Sequence, residues 1–180
     1  MINKNVKNLV LGALFLALCL LLPFLTGQIP QIGAMVSPMH IPVFLAGFVC
    51  GAPTALVVGF IAPLLRCFLF GMPPFLTAIA MSFELAAYGL VSGIMYHVVF
   101  KNKKSLPAIY VSLITAMLLG RVVWGVARVV ISGIGASADP FTWAAFISGA
   151  FTTAIPAIII HLILVPAIVF ALQKAKLIDG

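Results

Sequence analysis

Residues 34–70 read AMVSPMHIPVFLAGFVCGAPTALVVGFIAPLLRCFLF, and how often this stretch crosses a bilayer decides the fold. It is too long for one span, because ~20 apolar residues cross the hydrocarbon core. Gly51-Ala52-Pro53 interrupts it with a turn signal. The expected arrangement is a hairpin of two short helices, 39–51 and 54–70. The lysines arbitrate. All seven lie at the N-terminus, in residues 101–104 or in the C-terminal tail. With two crossings, all three groups fall on one side of the membrane. With one crossing, Lys101, Lys103 and Lys104 would lie outside, against the positive-inside rule.

Working outward, further spans are expected at 8–26, 75–99, 106–133 and 142–172, the last bent at Pro156 and Pro166. The apolar run from Leu9 to Leu25 lacks a small-x-small cleavage site and reads as a retained span rather than a signal peptide. The expected fold is all-α: a polytopic membrane bundle of six transmembrane helices, both termini cytoplasmic, in a single domain over 1–180. Composition agrees. Hydrophobic residues make up 64 % of the 180 and charged residues 7 %, and mean hydropathy is +1.29. A soluble domain carries roughly 25 % charged residues and could not cover its surface with so few. No room remains for a nucleotide-binding domain, so ATP hydrolysis, if used, belongs to another chain.

The same counts exclude chemistry. The acids are Glu84, Asp139 and Asp179, too few for a two-metal carboxylate centre or a paired-carboxylate site. Cys19, Cys50 and Cys67 lie in apolar runs without CxxC spacing, so neither a disulfide nor a zinc framework is expected. HExxH, GxSxG and phosphate-loop motifs are missing from the sequence. The net charge of +7 reads as membrane topology rather than nucleic-acid binding. Neither an enzyme nor a metal or cofactor protein is expected.

Four ionisable residues lie inside expected spans: Arg66, Glu84, Arg121 and Arg128. Each is costly in lipid, which makes each a site candidate. Glu84 lies ~14 Å in from the outer end of its span. Arg66, Arg121 and Arg128 also fall in the outer half to middle, which implies a cavity open to the outside. Arg121 and Arg128, seven residues apart, share a helix face with Trp124 and Gly125 on or beside it. The glycine would leave space and the tryptophan a flat wall. Glu84 and Tyr88 are i,i+4 neighbours, and Gly89 and Gly93 point away from them as a packing face. His40, between Pro38 and Pro42, is either a cavity residue or a plain interfacial histidine, Arg128 either faces the cavity or snorkels to the outer headgroups, and His161 reads as a satisfied bundle histidine. A structural ion pair of Glu84 with Arg121 or Arg66 is the plain alternative. Even then, three arginines face one glutamate, and a carboxylate ligand would balance them. Gly47 with Gly51, Gly89 with Gly93, Ala13 with Ala17 and Ala150 with Ala154 have the spacing that lets membrane helices approach.

At this point the chain resembles the substrate-binding S components of energy-coupling factor (ECF) vitamin transporters. The resemblance rests on length, six expected helices and three sequence elements. Ala13-Leu14-Phe15-Leu16-Ala17 is similar to the family's AxxxA element. The segment from Ser37 to Val43 has the family's apolar start to the second helix, and Ala46 to Pro53 its glycine/proline turn. The resemblance implies a protein that binds a vitamin from outside and does no chemistry. Its pocket would lie under the loop Gly27 to Met39. Glu84, Tyr88, Arg121 and Trp124 fall where the family builds that pocket, with Arg128, Arg66 and His40 as further candidates. It implies docking through Ala13 and Ala17 on a transmembrane coupling subunit driven by two ATPase subunits, in the bacterial cell membrane. The excess arginine favours a carboxylate vitamin such as pantothenate over neutral ones. A stand-alone proton-coupled carrier using Glu84 is the competing expectation.

Overall fold

The computed structural model describes residues 4–26, 29–103, 105–134 and 141–175. Helix α1 (Lys4–Leu21) runs into a 3₁₀ turn, Leu22–Thr26. It is followed by α2 (Pro30–Val36), α3 (His40–Cys50) and α4 (Ala52–Phe70). Helix α5 (Phe75–Ile94) ends in a π turn, Met95–Val99, and α6 (Leu106–Gly133) comes next. Helix α7 (Trp143–Ile147), a second π turn (Ser148–Thr152) and α8 (Ile155–Lys174) complete the order. No strand occurs among the described residues.

Proline opens α2, α4, α6 and α8, where its missing N–H costs nothing and its fixed φ suits a helix start. Pro156 therefore begins α8 instead of bending a continuous helix, and α8 runs through Pro166 unbroken. The helical pattern is instead interrupted just before Pro156, at 148–154.

Among the described residues, five helical stretches are long and apolar enough to cross a membrane: Val6–Thr26, Ala52–Phe70, Phe75–Val99, Leu106–Gly133 and Trp143–Lys174. The remaining expected span, 39–51, forms the 11-residue α3. At ~1.5 Å per residue this is ~16 Å, about half the hydrocarbon thickness. The turn expected at its end is present, with Gly51 at φ 85, a conformation that favours glycine.

Helix α3 sits in the middle of the molecule, against α1, α4, α5 and α8, and all its residues but Val49 are buried. Helix α5 lies between α4 and α6. Bare backbone sets these approaches. A Cβ on Gly59 would fall 2.4 Å from the Leu85 carbonyl oxygen, and one on Gly89 would fall 2.5 Å from that of Ala55. Gly47 meets Gly89, Ser92 and Gly93. Gly89 and Gly93 are thus the packing face expected of them, and Gly51 serves the turn rather than a helix contact.

The bundle has two distinct ends. At one, Asn8 donates to the Cys50 carbonyl (3.3 Å), His97 Nε2 donates to that of Gly47 (3.1 Å), and Gln173 donates to the Tyr96 hydroxyl. Lys7, Lys101, Lys103 and Lys174 lie on the element ends grouped there. At the other end the elements part around a cavity.

Candidate functional site

The cavity has a volume of about 470 Å³. Its walls come from the end of α1, the α2–α3 turn, the end of α4, the start of α5, the middle of α6 and the 149–154 segment. Most of the lining is apolar, including Pro23, Met39, Met72 and Met81. This suits a small organic molecule held by a few placed polar groups.

Those groups converge on Glu84, which is 2 % exposed. Tyr88, one turn along α5, donates its hydroxyl to Glu84 Oε1 at 2.6 Å. Arg121 on α6 places Nη1 2.8 Å from the same oxygen. His40, at the start of α3, has Nε2 3.9 Å from it, beyond hydrogen-bonding distance. A lone carboxylate at this depth would be expensive, and two donors, one of them cationic, offset the loss of water. Arg121 is therefore the partner of Glu84, which settles the ion-pair question that the sequence left open.

Local sequence explains why these groups meet. The i,i+4 spacing stacks Tyr88 on Glu84. Gly120 lets the Tyr88 ring press on the α6 backbone, so Arg121 next to it reaches across. Phe44 packs on Tyr88 with ring centroids 4.8 Å apart, closing the floor from below.

Arg66 lines the same cavity but is held differently. It donates to the Leu20 carbonyl, and its guanidinium lies 4.9 Å from the Phe24 ring centroid and 5.3 Å from that of Phe70. Such stacking favours a guanidinium over an ammonium. No carboxylate among the described residues pairs with it, so Arg66 supplies the cavity's excess positive charge.

Of the residues expected at the site, Glu84, Arg121, Trp124, Arg66 and His40 line the cavity, and Tyr88 supports it from beneath. Arg128 does not line it. Its guanidinium lies 5.5 Å from the Phe141 ring centroid, one helical turn or more beyond Trp124. Gly125 does not line it either: Phe146 packs against it in the wall of a separate, apolar cavity, whereas Trp124 packs on Gly149. Ala13 and Ala17 lie exposed on α1, away from α3 and α4.

His161 is the satisfied bundle histidine expected of it, with Nε2 donating to the Ser37 carbonyl at 3.3 Å, and it does not line the cavity. It is 2 % exposed, stacks on His40 with centroids 5.7 Å apart, and also contacts Phe44. The described residues include no group of three His, Cys, Asp or Glu side chains that could hold a metal ion.

Compared with known proteins, residues 7–169 match the model of one family, described as "ECF transporter, substrate-specific component". No curated protein and no solved structure gives a significant match.

Proposed function

The chain belongs to the substrate-specific components of ECF transporters, and from that premise we propose that its cavity captures a small water-soluble vitamin from outside the cell. The observation that carries this reading is the buried cluster of Glu84, Tyr88, Arg121 and His40 at the floor of a mostly apolar cavity. Intramembrane charge of this kind is costly and marks a binding path. Arg66, without a carboxylate of its own, favours a carboxylate vitamin, with pantothenate as the type of compound.

The proposed topology has six crossings in one membrane domain, with both termini cytoplasmic. Helix α3 makes the short crossing. Its shortfall is tolerable because α3 and the turn Ser37–Met39 are buried in protein rather than exposed to lipid. The described lysines lie at the end opposite the cavity, which supports a cavity facing outward. Delivery inward is proposed to need a transmembrane coupling subunit, docked through Ala13 and Ala17, and two ATPases. The proposed location is the bacterial cell membrane. A proton-coupled carrier working through Glu84 gains no support, because Arg121 and Tyr88 already hold that carboxylate.

The test is small-molecule mass spectrometry on the protein purified alone in mild detergent from rich medium. A single stoichiometric vitamin-like compound is expected. An empty protein that also shows no thermal shift with a vitamin panel would overturn the proposal.

A further inference from the structure

One backbone carbonyl fixes the protons of two imidazoles. The Ser37 carbonyl oxygen lies 3.1 Å from His40 Nδ1 and 3.3 Å from His161 Nε2. A carbonyl can only accept, so each of those nitrogens carries a hydrogen. In the neutral His40 ring, Nε2 is then a bare acceptor. That ring belongs to a residue 3 % exposed, and its Nε2 makes no hydrogen bond with any described residue. It faces Glu84 Oε1, another acceptor, at 3.9 Å. Tyr88 and Arg121 both donate to that same Oε1. With that ring neutral, the cavity floor sets acceptor against acceptor, whereas a protonated ring would turn an N–H toward Glu84. A buried acceptor left unmatched is destabilising, so the arrangement calls for a donor between them. The cavity already holds two guanidinium groups, Arg66 and Arg121, against one carboxylate. A neutral donor fits there better than a third cation.

We infer that His40 Nε2 and Glu84 form a double-acceptor notch that selects the ligand by a neutral O–H or N–H group. The substrate class is then a carboxylate that also carries a hydroxyl or an amide-type N–H. This rests on the proposal that the cavity is the ligand site. A notch of this kind rejects molecules without the donor, because its own acceptors would then be buried unmatched.

The experiment compares four carboxylate probes on the full chain in detergent, by thermal shift and titration. Pantothenate has hydroxyls and biotin has ureido N–H groups. Lipoate and nicotinate have no donor besides the acid itself. At least one of the first pair is expected to bind, and neither of the second. His40→Phe keeps the ring stack but lacks the acceptor, and is expected to weaken the bound probe about tenfold or more. His40→Gln restores an acceptor oxygen and is expected to recover part of that loss. Lipoate or nicotinate binding as tightly as the donor-bearing pair would overturn the inference on the wild-type protein alone. So would undiminished probe binding in His40→Phe, with the cavity still standing as the ligand site. If the wild type binds no vitamin of any class, the inference and the proposed function fall together.

Discussion

The Tyr88 ring lies against the bare backbone of Gly120, so closely that a Cβ there would sit 2.2 Å from two ring carbons. That contact lets α5 and α6 approach until Arg121 meets Glu84. Gly120→Ala is therefore expected to destabilise the bundle by about 1–3 kcal/mol, the usual cost of overpacking, and to weaken ligand binding as the Tyr88 hydroxyl shifts. Thermal unfolding in detergent checks the first effect and ligand titration the second. Gly133→Ala is the control, since a Cβ there has no neighbour within 4 Å and should leave both readings unchanged.

Arg121→Ala leaves a buried carboxylate without its cation, and breaking such a pair costs about 3–5 kcal/mol. Ligand binding is expected to weaken while the protein still inserts. The double variant Arg121→Met with Glu84→Gln removes both charges and should regain stability over Arg121→Ala without regaining binding. A double-mutant cycle on thermal stability measures the coupling. If Arg121→Ala lowers expression and the surviving protein binds fully, the pair has a structural role only.

Arg66 should discriminate by ligand charge. Arg66→Gln removes the cation between Phe24 and Phe70 and is expected to lower affinity for carboxylate vitamins, sparing neutral ones. Competition in an uptake assay reads this directly. Competition in the wild type by neutral or cationic vitamins alone would end the carboxylate assignment.

The exposed Ala13 and Ala17 separate binding from transport. Ala13→Trp or Ala17→Trp places a large ring on the outer face of α1, far from the cavity lining. Ligand binding by the isolated chain is expected to stay at wild-type level while uptake in cells is lost. A tryptophan variant that transports normally would show that α1 does not dock there.

What the sequence revealed of this site depended on how far apart in the chain the partners lie. Glu84 and Tyr88 share a helix, so their spacing alone put them together. Arg121 followed from its depth, because its helix is long and its start could be located. His161 was legible as a satisfied bundle histidine, but its partners, His40 and the Ser37 carbonyl, were not, because they lie on other elements and no periodicity links them. Helix α2 was hidden for a different reason: seven residues with Gly33 inside carry too little apolar pattern to separate them from a loop. Arg128 and Gly125 were assigned to the cavity from an idealised helix wheel, which could not foresee that Phe141 and Phe146 would fold back over them.

The Ser37 carbonyl that takes both imidazole protons belongs to the turn joining α2 to α3, and α2 packs on α8 over the cavity. Roof and floor are thereby tied through one oxygen atom. The two rings therefore share one anchor: a displacement of that turn is felt by His40 and His161 at once, although they stand 121 residues apart in the chain.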